Sequence, residues 1–422
     1  MIFKKTIERF LGTSSKNVLI LMSGTIFSQF ISVLFSPILT RIYTPEEYGI
    51  LGVFGSFVSI FAAIASLKFD AAVLLPKKDS VALKLLKLSS LIIMIIGFVI
   101  FIVLLFFEDL ILNLINTPNL KGFIYLSVIS IWTIGFFNLF KNILNRFESY
   151  KSIAFSTVAK SVSTTSSQLG LGFLSFGFKG LIFGRVFGDV FSFFTSYFFL
   201  KKESRFTSNL EEPKTLKMIA LEYQEFPKVT ALHTFFNTVS ASFPILILAS
   251  FFTADVVGNF NQSLKIAFLP ITLISASTYQ VFSRKVTESL NKGKDIYGVT
   301  IETIKKLSLI GLIPFLILMI FAPWLFDFVF GNEWRVAGEY TQLMIPYIYL
   351  VFVVSPLAYL PILRNRQRKA FVIEIVYLVL RILGLLTGVY FNNVYLAIGL
   401  YSLTGLLIQC YNLNWFLKLA KK

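Results

Sequence analysis

About twelve apolar runs, each roughly 20 to 25 residues long, succeed one another along the chain with only short connectors between them. They begin near Asn17, Tyr48, Leu85, Gly122, Ile153, Gly180, Pro227, Asn259, Leu307, Tyr340, Ala370 and Val394. A bilayer core of about 30 Å is crossed by about 20 residues of α-helix. Twelve crossings therefore use roughly 240 of the 422 residues, which leaves too little for a separate soluble domain. The composition agrees: 56% of residues are hydrophobic and 14% charged, against roughly 25% charged in soluble domains. The expected fold class is an all-α polytopic membrane protein.

The segment Met1 to Lys16 is short and basic, and the apolar run after it is too long for a signal-peptide core and lacks a small-residue cleavage site. It is expected to be a retained first helix that enters from the cytoplasm. Cys410 is the only cysteine and lies in the last run, so disulfides and cysteine metal clusters within one chain are excluded. A net charge of +17 raises nucleic acid as a partner, but the cations are scattered among short connectors instead of grouped on one face.

Their distribution follows the positive-inside rule. Alternate connectors, starting with the amino-terminal Lys4, Lys5 and Arg9, hold most of the 39 basic residues, whereas the others keep only Arg41, Lys121, Lys179 and Arg335 and carry acids such as Glu46, Glu47, Glu108 and Asp109. This pattern predicts both termini in the cytoplasm. The longest connector, roughly Lys201 to Phe226, divides the chain into an expected N-terminal lobe of six helices, 1–209, and a C-terminal lobe of six, 210–422. The halves look like repeats. Ser36-Pro37-Ile38-Leu39 followed by Tyr43-Thr44-Pro45-Glu46-Glu47-Tyr48-Gly49 resembles Phe243-Pro244-Ile245-Leu246 followed by Phe252-Thr253-Ala254-Asp255-Val256-Val257-Gly258. Repeats with an even number of helices share one orientation, and two such lobes are expected to leave a central cavity. Thr44, Pro45 and Glu47 also have the spacing of a capping box that starts the second helix.

Small and polar residues recur at helical spacing in several runs. Helix one has Thr25, Gln29, Ser32 and Ser36, and helix two has Gly52, Ser56, Ser59, Ala63, Ser66 and Asp70; such stripes serve close packing as well as a polar cavity. Helix five carries Thr157, Lys160, Ser161, Thr164, Ser167 and Gln168, a stripe that suits water or a polar ligand better than packing. Helix seven offers His233, Asn237 and Ser240 before Pro244, and helix eight Asn261, Lys265, Thr272 and Ser275. His233 alone suggests packing and is given no catalytic role.

Lys160, Arg185, Lys265 and Arg381 lie within apolar runs, where each charge costs roughly 2.5–3.5 kcal/mol on insertion scales. Arg185 with Asp189, and Glu374 with Arg381, have the spacing for pairing on their own helices. Lys160 and Lys265 have no acid nearby on theirs, so their partner comes from elsewhere: a ligand, or headgroups reached by snorkelling, a reading stronger for Lys265. Cations of this kind suit a phosphate or diphosphate. The acids available for ion coupling are Asp70, Asp189 and Glu374, for which structural pairing is the competing reading. The sequence contains neither a nucleotide-binding glycine loop nor a metal-ligand or Ser-His-Asp pattern.

Twelve helices, the six-plus-six repeat and the junction Thr40-Arg41-Ile42-Tyr43-Thr44-Pro45-Glu46-Glu47-Tyr48-Gly49 together resemble the Wzx-type O-antigen or oligosaccharide flippases. These form the polysaccharide-transporter family of the multidrug/oligosaccharidyl-lipid/polysaccharide (MOP) superfamily. The likeness covers the whole chain, and the junction is its most specific mark. It implies that undecaprenyl-diphosphate-linked repeat units of O-antigen, capsule or exopolysaccharide cross the bacterial cytoplasmic (inner) membrane by alternating access, without catalysis or a cofactor. A polysaccharide polymerase and a chain-length regulator are the implied protein partners, besides membrane lipids.

The resemblance further implies a cationic cavity lined by helices one, two, seven and eight, which Lys265 and Arg41 match. Lys160, Arg185 and Arg381 join the substrate-binding set from their own stripes, with Gln29, Ser56, Ser59, Thr164, Gln168, Asn237 and Asn261 as polar lining. Other readings of the sequence are a nonspecific scramblase or a scaffold for assembly proteins, the lipid-linked peptidoglycan precursor as substrate, a drug antiporter and a membrane enzyme. A drug antiporter of the same fold would be expected to have an acid-dominated cavity, and a membrane enzyme such as a polymerase would be expected to have a sizeable outer loop.

Overall fold

The computed structural model describes residues 13–207, 214–293 and 295–421. The basic amino-terminal residues Lys4, Lys5 and Arg9 and the expected lobe boundary at 209/210 lie outside the described residues. All regular structure among those described is helical. In chain order the principal helices are α1 (Thr13–Leu34), α2 (Ser36–Ile42), α3 (Pro45–Ala62), α4 (Phe69–Ala72), α5 (Asp79–Leu114), α6 (Leu126–Arg146), α7 (Tyr150–Phe173) and α8 (Phe178–Lys201). They continue as α9 (Leu216–Glu222), α10 (Leu232–Phe251), α11 (Ala254–Ala267), α12 (Ala276–Asn291), α13 (Ile296–Phe330), α14 (Arg335–Val354), α15 (Gln367–Tyr390) and α16 (Val394–Ala420).

Nine helical stretches among the described residues are long and apolar enough to cross a membrane, some of them joining two neighbouring helices. Three further helices reach the length of a span but are more polar. These are α3, with Glu46 and Glu47; α7, rich in Ser and Thr around Lys160; and α8, with Lys179, Arg185 and Asp189. Together they give the twelve-helix membrane fold. A helix flanked by other helices can carry polar side chains that one surrounded by lipid cannot. The outer surface is correspondingly apolar: Phe106 is 78% and Leu309 71% exposed, which suits acyl chains and not water.

Two helices run far beyond their apolar runs. α5 has 36 residues and α13 has 35, or about 54 and 52 Å at 1.5 Å per residue. Their extra turns are polar, so apolarity alone marks their starts near Leu85 and Leu307 instead of at Asp79 and Ile296. Asp295 caps α13 by accepting from the backbone N–H groups of Tyr297 (2.8 Å) and Gly298 (3.1 Å).

The described chain forms two compact units, residues 1–43 with 50–246, and residues 44–49 with 247–422. In the first, α7 packs along both α1 and α8, and α6 along α5 and α8. Ser28 and Ser32 of α1 meet α7: Ser161 Oγ donates to Ser28 O (2.8 Å) and lies 3.0 Å from Ser32 Oγ. Part of the helix-one stripe therefore serves packing. In the second unit α14 packs against α11, α13 and α16, and α15 against α16. A buried cluster including Phe282, Val286, Leu357, Leu360, Trp415 and Phe416 closes one end.

The segment Thr44–Gly49 begins α3 through the expected capping box: the Thr44 N–H donates to Glu47 Oε2 (2.9 Å) and the Glu47 N–H to Thr44 Oγ1 (3.3 Å). It crosses the start of α11 at a pair of glycines. A Cβ on Gly49 would lie 1.9 Å from Ala254 O, and one on Gly258 only 1.7 Å from Pro45 O. Gly49 and Gly258 occupy equivalent places in the two repeats, so the contact is reciprocal.

Candidate functional site

The first unit assembles its charges because α8 lies unusually close to its neighbours. Gly180, Gly184 and Gly188 recur every four residues, and a Cβ on each would overlap another residue: Tyr43 Oη at 2.6 Å, Gln168 Cγ at 2.5 Å and Thr164 Oγ1 at 1.8 Å. Small residues at this spacing let helix backbones touch. The approach brings Asp189, beside Gly188, to Lys160 on α7. Lys160 Nζ lies 2.6 Å from Asp189 Oδ1, with side-chain exposures of 34% and 1%. Asp189 Oδ2 has no hydrogen-bond partner among the described residues, and the ammonium also lies 5.9 Å from the Phe137 ring centroid.

The sequence spacing pairs Asp189 with Arg185, but in the structure Asp189 takes Lys160. Arg185 instead sets its guanidinium over Gly55 of α3, where a Cβ would lie 2.4 Å from Nη1. The missing partner of Lys160 is thus an acid on the next helix. The glycine triplet was the sequence signal for this contact, because it marks the face of α8 that another helix must cover.

Around the ion pair, Thr164 is half-buried against Gly188, and Gln168 is buried with Nε2 donating to Leu181 O at 3.0 Å. Tyr43 Oη donates to Gln168 O at 2.7 Å. Gln29 and Ser59 are half-buried and Ser56 is buried; Ser59 Oγ donates to Gly55 O at 2.7 Å. Arg41 is exposed in the last turn of α2, where the helix dipole favours a cation. Asn237 and His233 are exposed on α10.

Asp70 belongs to a separate arrangement. After α3 the chain turns through Leu67 and Lys68, both left-handed at φ 47° and 63°, a costly conformation for residues with a Cβ. Asp70 anchors this elbow by accepting from Ser66 Oγ and, at 3.1 Å, from Asn142 Nδ2.

In the second unit Lys265 lies in the last turn of α11, which ends at Ala267, and a π-helical turn, Ile271–Ser275, follows Pro270. The helix that the sequence suggests is continuous is therefore interrupted just past Lys265, and the carbonyl-bearing end of α11 stabilises the ammonium by roughly 0.3–1 kcal/mol. Lys265 is exposed and Asn261, one turn earlier on the same face, is half-buried. No carboxylate forms an ion pair with Lys265 among the described residues. The opposite face of α11 is packed, with Ser263 Oγ donating to Ala337 O at 2.5 Å.

Arg381 stands in a tyrosine cage. Its Nη2 donates to Tyr347 Oη at 2.5 Å, and its Cζ lies 3.8 Å from the Tyr377 ring centroid, 4.9 Å from Tyr401 and 5.7 Å from Tyr347. All three tyrosines are buried. Desolvated cation–π contacts contribute about 2 kcal/mol or more, which offsets much of the cost of the charge. Glu374, the partner suggested by spacing, acts on Arg381 electrostatically. Among the described residues no group of three or more His, Cys, Asp or Glu is arranged to hold a metal ion.

A family model described as "Polysaccharide biosynthesis protein" matches residues 38–339. No curated relative matches the chain in sequence. Among solved structures, the lipid II flippase MurJ in an inward closed conformation aligns with TM-score 0.73 and 16% identity, covering 95% of this chain and 90% of its own. An inward-facing multidrug resistance MATE family transporter of the MOP superfamily aligns with TM-score 0.69 and 17% identity over 92% of this chain and 93% of its own. An outward-facing MATE transporter gives 0.57 and 15%, over 97% of each chain. At these identities the structural likeness establishes a shared fold, and the family match covers well over half of the chain. The chain belongs to the polysaccharide biosynthesis protein family and has the fold of the MOP superfamily.

Proposed function

We propose that the protein is a Wzx-type flippase, which moves undecaprenyl-diphosphate-linked repeat units of O-antigen, capsule or exopolysaccharide across the bacterial cytoplasmic membrane by alternating access, with both termini in the cytoplasm. The six-helix lobes, 1–209 and 210–422, are the moving parts. Lys265 carries this reading: a cation within a membrane span, exposed and with no carboxylate partner among the described residues, is costly unless an anion visits it. A diphosphate is such an anion.

Lys160 is the second cation of the site. Its carboxylate partner Asp189 holds it when the site is empty, and substrate phosphate competes for the ammonium. Arg185, Arg381 and Arg41 supply further positive potential, while Gln29, Ser56, Ser59, Thr164, Gln168, Asn237 and Asn261 offer hydrogen bonds to sugars. Asp70, Asp189 and Glu374 are the acids through which an ion gradient would couple. A polymerase and a chain-length regulator would act on the repeat unit after translocation.

The test is surface-polysaccharide assembly in cells whose own flippase is deleted. Lys265→Ala is expected to abolish assembly at unchanged membrane levels of the protein and Lys265→Arg to retain part of it; Lys160→Ala is expected to abolish assembly too, and Lys160→Ala/Asp189→Ala to restore the protein's stability but not assembly. Full assembly with both alanine variants would refute the diphosphate site. A cation–drug antiporter would be expected to present unpaired acids, whereas here Asp189 is engaged by a lysine and Asp70 by Ser66 and Asn142.

A further inference from the structure

The helix pair α7–α8 turns an aromatic face outward. Along α8, Phe183, Phe187, Phe191, Phe194 and Phe198 recur every three or four residues and are all exposed, a stripe about 22 Å long at 1.5 Å per residue. Two hollows lie along it. One, of about 350 Å³, is lined by Ile129, Ser167, Leu171, Phe183 and Phe187 among others and by no charged residue. The other, of about 610 Å³, is lined by Phe155, Phe194, Tyr197, Phe198 and Phe199, and by Lys201.

The second hollow differs from ordinary lipid-facing surface in its cations. Lys201 is one of its walls, and Lys202 holds its Nζ 4.1 Å from the ring centroid of Phe198, another wall. Both lysines are exposed, and neither forms an ion pair among the described residues. An apolar groove between helices with two exposed cations at one end matches a lipid of the same layout, with chain in the groove and phosphate at the lysines. The charge distribution of the connectors marks this end of α8 as cytoplasmic, the side where basic pockets between helices hold anionic headgroups.

We propose that this hollow is a binding site for an anionic glycerophospholipid of the cytoplasmic leaflet. One acyl chain lies against Phe155, Phe194 and Phe198, and the phosphate rests on Lys201 and Lys202. A zwitterionic lipid brings its own ammonium to the same place and is disfavoured. The uncharged hollow toward the other end of α8 accepts chains without selecting headgroups. The site does not depend on the transport reading, since it follows from the membrane fold and the placement of two lysines.

Native mass spectrometry of the full-length protein in mild detergent tests it, with phosphatidylglycerol, phosphatidylethanolamine and undecaprenyl phosphate added in turn at equal concentration. Wild type is expected to retain phosphatidylglycerol in preference to phosphatidylethanolamine. The double variant Lys201→Ala/Lys202→Ala should lose roughly tenfold in phosphatidylglycerol retention, from about one kcal/mol per lysine reduced by screening, and keep phosphatidylethanolamine unchanged. Phe194→Trp, which narrows the hollow, should weaken both lipids, and Phe187→Ala in the uncharged hollow should leave the preference intact. Equal retention of the two lipids by wild type, or undiminished phosphatidylglycerol on the double variant, would overturn the proposal. So would preferential retention of undecaprenyl phosphate, which would give the groove to a polyprenyl tail, or a lipid-free dimer, which would give it to a second copy of the chain.

Discussion

At the residue scale the molecule handles its intramembrane charges in three ways. Lys160 is neutralised by a buried carboxylate on the next helix, Arg381 is enclosed by three tyrosine rings, and Lys265 is stationed at a helix end with no ion-paired acid among the described residues. Removing one partner of a buried pair leaves the other uncompensated, at a cost of about 3–5 kcal/mol. Lys160→Ala is therefore expected to lower the melting temperature of the purified protein markedly, and Lys160→Ala/Asp189→Ala to recover most of the loss while remaining inactive in transport. Equal melting temperatures for wild type and Lys160→Ala would deny the pair any structural weight. Arg381→Lys keeps the charge but loses the planar group that stacks on Tyr377, so a loss of about 1–2 kcal/mol is expected in the same measurement. Lys265→Ala, by contrast, should leave stability unchanged or raise it, because no carboxylate among the described residues loses a partner. The sequence makes all four intramembrane cations visible through their cost in an apolar run. It does not reveal their partners, because Lys160 and Asp189 meet across two helices and the rings around Arg381 come from α14, α15 and α16.

At the element scale, close helix approach decides where the charges fall. Gly188→Ala places a methyl 1.8 Å from Thr164 Oγ1 and 3.1 Å from Lys160 O, so α8 must move off α7. Overpacking of this kind costs roughly 1–3 kcal/mol, measurable as a lowered melting temperature. Gly170→Ala on α7 has nothing within 4 Å of its new methyl, and Ala is the better helix former by about 0.8–1 kcal/mol, so that variant should be neutral or more stable. If both glycine variants behaved alike, the close contact would not be what fixes α8. The helices themselves were largely legible as apolar runs. Boundaries failed where helix continues into polar residues, as at Asp79 and Ile296, and where an apolar run contains a break, as after Ala267. Apolarity reports the lipid-facing length of a helix, whereas capping residues and prolines report where it starts and stops.

At the scale of the whole molecule, each half of the chain has one over-long helix, α5 and α13, and Gly49 and Gly258, aligned by the sequence repeat, meet at backbone contact. Gly49→Val or Gly258→Val would force the starts of α3 and α11 apart, since the obstructing atoms are backbone carbonyls. Each is expected to reduce transport and to lower the melting temperature. Whether cations within the membrane carry a lipid diphosphate across it can be measured in proteoliposomes of purified protein. The initial rate of translocation of a fluorescent undecaprenyl-diphosphate oligosaccharide is compared between wild type and Lys265→Gln. Wild type is expected to move the lipid, the variant to do so at least about tenfold more slowly, from loss of one charge-assisted contact, and neither to transport a cationic dye such as ethidium. Equal rates for the two proteins, or ethidium moved while the lipid diphosphate stays in place, would contradict this role for the cations.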